Sequence, residues 1–495
     1  MNRPRRIAMP DSPALPQPQR RRFLGLSAAG VAGAFGLGSL ANLLTLKPAH
    51  AADYKALVCV FLYGGNDGNN TIVPTDATRH GQYAAIRKGL ALPRTSLVGL
   101  AGSDYGLHPS LAALQPLWAA GRMAPVFNVG PLYQPVSKTE LRAAGAGSPL
   151  VPDNLFSHSD QQLLWESSQT KATERTGWGG RACETLATAM PVISLAGNPR
   201  FGIGPLKVPL VLPEPGEDFG AMTLRDADIA DWPVLAQRRA AVEALYAAGQ
   251  DSDLAEAFAR QQREAFEVSA RLGDLIKHEP GASGAGASSY AAIDAAFASL
   301  WSASAGNFTS RLAAQLYQAA KLIASNATVQ GNRQIYFAQM DGFDTHGNQI
   351  AGNALTGEHA DLLKQLGDSL AAFHTALDAL GLAGQVTTFT QSDFGRTLLP
   401  NNSSGSDHGW GNHHLVMGGA VRGGTTYGRY PELALGGPDD IGVDAWERQG
   451  RWIPSTGVDQ YAATLLGWFG ASAPQLGAIL PNLSRYGSTP SLGFL

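Results

Sequence analysis

A strand with no polar face has to be covered on both sides, and residues 55–63, KALVCVFLY, form such a run. A near-continuous apolar stretch of this length suits a parallel strand inside a sheet, with helices packed above and below it. Other segments read the same way: APVFNV (124–129), the short VISLAG (192–197), NRQIYFAQM (332–340), and a run rich in Val, Thr and Phe that opens at Val386. Between the last two lies a helical pattern with Leu362, Leu363, Leu366, Leu370 and Phe373 on one face. Strand, helix, strand is a βαβ unit, whose two strands are expected to be parallel. The expected class is α/β with a mostly parallel central sheet. A chain of 495 residues, 44% hydrophobic and 16% charged, has ample material for such a core.

Helical patterns also cover Pro109–Ala120, the stretch that opens near Ser157, and ACETLATAM after Gly177-Trp178-Gly179-Gly180-Arg181. Residues 200–222 are rich in Pro and Gly and read as irregular. From about 226 to 327 the chain is helix-rich, broken by the flexible tract GASGAGASS at 281–289, and it reads as a helical insertion packed on the sheet. A net charge of -3 gives no footprint for nucleic acid. The two cysteines, Cys59 and Cys183, sit in apolar and helix-like runs and are expected to be buried small hydrophobes, a single disulfide being the alternative.

The first 51 residues have their own logic. Arg20-Arg21-Arg22-Phe23-Leu24 precedes a mildly apolar stretch to Leu46 and then Ala49-His50-Ala51, which is a charged region, an apolar region and an A-x-A cleavage site in order. The paired arginine followed by Phe-Leu resembles a twin-arginine export signal, so the translocation machinery that reads it is an expected partner. Its Gly- and Ala-rich apolar part falls short of the roughly twenty strongly apolar residues of a stable membrane anchor. The expectation is cleavage after Ala51 and a periplasmic or secreted domain over 52–495.

The chemistry gathers where the strand-like runs stop. Gly64-Gly65-Asn66-Asp67-Gly68 follows the first run, Asp341-Gly342-Phe343-Asp344-Thr345-His346 follows the fourth, and Ser392-Asp393-Phe394-Gly395-Arg396 follows the fifth. The loop after Arg396 adds Asp407-His408 and then His413-His414, which read as structural or supporting. Ligands of open α/β sheets collect at the carboxyl ends of strands. Brought together, Asp67, Asp344, His346, Asp393 and His408 make a donor set suited to a divalent ion such as Zn²⁺, Mn²⁺, Mg²⁺ or Ca²⁺. Arg396 is a candidate for contact with a tetrahedral anion. Ser157 and His158 open a helix, where a hydroxyl serves as a cap or presents a nucleophile to an anion. His359 and His374 read as surface or packing histidines.

Taken in order, the export signal, LYGGNDGNN, LFSHSDQQ, GWGGR, DGFDTHG, SDFGR and DHGWGNHHLVMGG resemble a large bacterial family of exported proteins catalogued as domain of unknown function fifteen-oh-one, over essentially the whole mature chain. That family is in turn similar to the alkaline phosphatase and sulfatase superfamily. The resemblance implies an alkaline-phosphatase-like three-layer α/β sandwich with metal ligands at strand ends. It implies metal roles for Asp67, Asp344, His346, Asp393 and His408, with Ser157 at the nucleophile position. Phe394 stands where the superfamily has His or Asn, and Asp341 competes with Asp344 as the ligand. The expected function is a metal-dependent hydrolase of phosphate or sulfate esters. The alternative is a catalytically degenerate secreted scaffold that binds a polysaccharide or a partner protein, suggested by Phe394 and by Trp178, Trp410, Tyr427 and Tyr430 near the loops.

Overall fold

The protein is described by a computed structural model covering residues 53–495 apart from 146, 250–251, 283–286 and 489. The export signal and the centre of the glycine-rich tract lie outside the described residues.

Eight strands make one sheet: β1 (Lys55–Leu62), β2 (Met123–Gly130), β3 (Ile193–Ser194), β4 (Leu210–Val211), β5 (Arg333–Met340), β6 (Val386–Ser392), β7 (Asn412–Gly418) and β8 (Thr456–Gly457). Their order across the sheet is β8-β2-β7-β6-β1-β5-β3-β4. The first run to be singled out is therefore central. It is flanked in parallel by β5 and β6, with Leu62 beside Met340 on one side and beside Ser392 on the other. The strand–helix–strand unit ends as expected, with both strands parallel to β1. Only β7 runs against the rest, antiparallel to β6 and β2. This reversal has a consequence for the site. A strand entering in the opposite sense begins at the edge where its neighbours end, so the 393–411 loop stays at that edge.

The main helices are α1 (Ala77–Arg87), α2 (His158–Ser167), α3 (Trp178–Thr185), α4 (Leu235–Ala247), α5 (Asp253–Lys277), α6 (Arg311–Ala324), α7 (Glu358–Ala379) and α8 (Val458–Phe469). Successive side chains of a strand point to opposite faces, and β1 divides accordingly. Ala56, Val58, Val60 and Leu62 enter one core with Leu316 of α6 and Leu363, Leu366, Leu370 and Phe373 of α7. Leu57, Cys59 and Phe61 enter the other with Trp165 of α2, Trp178 of α3 and Tyr461 of α8. Helices, sheet, helices is a three-layer arrangement, and it explains why β1 carries no polar face.

Several expectations meet a more detailed reality. Pro109–Ala120 is a 3-10 helix, Pro109–Leu114, running into a short α-helix, Gln115–Ala119. Only Ile193–Ser194 of VISLAG joins the sheet. Cys59 and Cys183 are buried and free. Residues 226–329 are mainly helical, with a small hairpin pairing Trp301–Ser302 with Asn307–Phe308. Among the described residues no helix is long and apolar enough to cross a membrane.

Candidate functional site

The carboxyl ends of β1, β5 and β6 meet because the chain turns there with almost no room. Gly64 (φ +108°) lies so close to the β5 loop that a Cβ would come 2.4 Å from the Asp344 nitrogen. Gly65 (φ +80°) would meet the Phe394 ring at the same distance. Both positions combine a left-handed backbone with close approach, and glycine alone satisfies the two together.

Asp344 is the hub. One of its oxygens lies 3.2 Å from His408 Nε2, 3.3 Å from His346 Nε2 and 2.6 Å from an Arg396 Nη2. The other lies 3.4 Å from His158 Nε2. His346 and His408 face each other at 2.7 Å, Nε2 to Nε2. The His408 ring sits between those of His158 and His346, at centroid distances of 4.4 and 4.5 Å. Phe394, fully buried, lies 4.9 Å from the His158 ring and 4.5 Å from that of His408. The residue expected to cost the site a ligand packs against the histidines instead.

Each imidazole is also tied at its far nitrogen. His408 Nδ1 donates to the Phe156 carbonyl at 2.6 Å, His346 Nδ1 lies 3.0 Å from Asp407, and His158 Nδ1 lies 2.7 Å from Asp393. Phe156 holds its carbonyl there from a left-handed backbone, φ +79°. Asp393 is wholly buried and accepts two further bonds, from Gln162 at 2.9 Å and from the Gly64 N–H at 3.2 Å. The hydrogen bond to Asp393 raises the pKa of His158 above that of a free imidazole, against the pull of burial. Burial lowers that of His408, and the Arg396 charge adds to the effect. Burial works to raise Asp344, but the hydrogen bond and charge of Arg396 outweigh it and hold the carboxyl at about 2.

Three expected site residues are placed otherwise. Asp67 is fully buried and turns its carboxylate to the equally buried Arg87 of α1 and to Gln349, forming no contact with the histidines. The reason is the interior cation: a buried guanidinium needs a carboxylate more than an open edge does. Arg396 does not face solvent. Its guanidinium donates to the carbonyls of Gly64, Gly65, Phe343 and Ser406 as well as to Asp344, so it clamps the three strand-end loops and leaves little for a substrate anion. Ser157 precedes α2, but its hydroxyl donates to Asp160 of its own first turn at 2.7 Å.

Other placements complete the picture. Asp341 is exposed and meets Gln339, so Asp344 is the carboxylate that joins the histidines. His413 and His414 are buried in β7, His359 pairs with Asn66, and His374 is buried in α7. Trp178 and Trp410 are buried in the cores, so neither offers a platform for a sugar ring. Gln162, Asp407 and the Phe156 carbonyl were not foreseen as parts of the site. Gln162 had a signal, since it stands four residues after His158 and shares its helix face. A backbone carbonyl leaves no trace in residue types.

The sequence profile of a family described as "Protein of unknown function (DUF1501)" matches residues 54–440. No curated protein matches the chain.

Proposed function

The chain belongs to the DUF1501 family, and from the strand-end site we propose that it is an exported, metal-dependent hydrolase of phosphate or sulfate esters. The convergence of His158, His346, His408 and Asp344 carries this reading. The order of the motifs and the mostly parallel sheet with its polar groups at the carboxyl edge support a relation to the alkaline phosphatase and sulfatase superfamily, and that relation supplies the choice of ester. The export signal read in residues 1–51 supplies the location.

The donor set fits a divalent ion. Asp344 is held as a carboxylate, and the far nitrogens of all three imidazoles are engaged by a carbonyl or a carboxylate, an arrangement that orients metal-binding histidines. Asp344, His346, His408 and His158 would hold the ion, which would polarise the ester and make a water more acidic. The protein's own groups do the rest. Arg396 fixes Asp344 and the loops that carry it, Phe394 keeps water from beneath the rings, and Asp393 with Gln162 sets the orientation of His158. Asp344 and His346 are each nearly half exposed, which leaves the outer side of the cluster open to substrate.

Purified mature protein is expected to hydrolyse an aryl phosphate or an aryl sulfate, with loss on chelation and recovery on adding back a divalent ion. Asp344→Ala should lower turnover about a hundredfold or more, since even supporting residues of metal sites are worth 10–100-fold. The degenerate scaffold remains the second reading, favoured by the inward turn of Asp67 and the commitment of Arg396 to loop carbonyls. A chain that binds an ion yet turns over neither ester class would decide for it.

A further inference from the structure

We infer that the site takes one divalent ion of borderline softness, of the Zn²⁺ class, through three imidazole nitrogens and one carboxylate, with His158 as a ligand in place of Asp67 and Asp393. The inference rests on the hydrolase reading above only for the presence of an ion.

An imidazole presents a lone pair at one nitrogen when its proton sits on the other. The Phe156 carbonyl can only accept, so at 2.6 Å it fixes the proton of His408 on Nδ1. Asp407 does the same for His346 at 3.0 Å. Asp393 does it for His158 at 2.7 Å. In their neutral forms the three rings turn bare Nε2 atoms to a single carboxylate at 3.2–3.4 Å. His158 Nε2 is buried without a hydrogen-bond partner. Electron-rich atoms this close repel one another unless positive charge lies among them. A proton shared between His346 and His408 meets the need at their 2.7 Å separation, and a cation seated among the three rings and Asp344 would meet it as well.

The two excluded carboxylates are occupied. Arg87 neutralises Asp67, and both oxygens of Asp393 accept N–H bonds from other groups. His158, Asp344 and His408 offer donor atoms that all lie within 4.8 Å of one another, and His346 Nε2 joins them through His408 at 2.7 Å and Asp344 at 3.3 Å. Magnesium and calcium prefer oxygen ligands, whereas imidazole suits zinc and its neighbours in the first transition row.

The test is to titrate chelator-stripped mature protein with Co²⁺ and follow its visible absorption. Saturation at one equivalent is expected, reversed by one equivalent of Zn²⁺ and untouched by excess Mg²⁺ or Ca²⁺. Asp393→Asn and Gln162→Ala should each weaken Co²⁺ binding about 10–100-fold by releasing His158. His158→Ala should weaken it at least as much and alter the spectrum. X-ray absorption of the zinc-loaded wild type, which needs no variant to fold, should show three imidazoles. Saturation at two equivalents, displacement by Mg²⁺ or Ca²⁺, or fewer than three imidazoles would overturn the assignment. Stoichiometric Co²⁺ binding with no turnover of either ester would sink the hydrolase reading and leave the ligand set standing. Ester turnover by protein that binds no Co²⁺ would do the reverse.

Discussion

At the scale of single residues, the site depends on groups whose work is done below the surface. Asp67 and Arg87 form an ion pair with both side chains fully buried. Removing one partner leaves an uncompensated interior charge, so Asp67→Ala should cost about 3–5 kcal/mol of stability. Urea denaturation measures it, and an unchanged midpoint would mean that the pair is not closed in solution. Gly64 is the second such residue. An added methyl must avoid the Asp344 nitrogen while the backbone holds φ at +108°, so Gly64→Ala is expected to cost about 2–4 kcal/mol from strain and overpacking together. Because the displaced atoms belong to the Asp344 loop, ion binding should weaken in the same variant even where it stays folded.

At the scale of elements, the sheet and the helical region after it differ in how firmly they are held. β1, β5 and β6 are covered on both faces, and α6 is buried along most of its length. By contrast α4 has no buried residue, and Trp232, Val234, Leu245, Leu254 and Phe258 around it are exposed. The end of α5 is tied down by Lys321, fully buried in α6, which donates to the carbonyls of Leu275, Ile276 and His278. Segments with little buried apolar surface open with small free energies. Limited proteolysis is therefore expected to cut within 232–258 before it cuts the sheet, and the nicked protein should keep the ion affinity of the intact one. First cleavage in the 393–411 loop would show that the site edge is the less stable part.

For the whole molecule, the burial of histidine sets a response to acid. Burial takes His108 and His374 down to about 4 and His413 and His414 to about 3, and it lowers His359 well below its ordinary value. In the unfolded chain these rings take up protons near 6.5. Between that pH and about 4 the unfolded state thus binds more protons, and stability falls as pH falls. Glu166 and Asp459, both raised to about 7 by burial, act in the opposite sense, stabilising below the ordinary carboxyl range and losing this as pH rises through 7. Five histidines outnumber two carboxyls, so the melting temperature should drop steadily from pH 6.5 to 4.5. A flat profile over that range would show that the rings are hydrated in solution.

Residue types determined the parallel centre of the sheet, but not β4, β7 or β8. Apolar runs long enough to need cover on both faces announced β1, β5 and β6, and the amphipathic helix between the last two made them parallel. They also determined which loops carry the chemistry, because Asp344, His346, His408 and His158 stand beside strand or helix ends in the sequence itself. Only the tertiary structure decided which of the candidates meet. Asp67 and Asp393 look as good as Asp344 on paper, yet one is claimed by Arg87 from α1 and the other by His158, Gln162 and the Gly64 N–H. Arg396 was legible as a cation at the site but not as a clamp, since its partners are backbone carbonyls, which every sequence possesses. A buried charge goes to whichever partner the fold brings within hydrogen-bond reach, and that proximity is a property of packing between distant segments, not of local pattern.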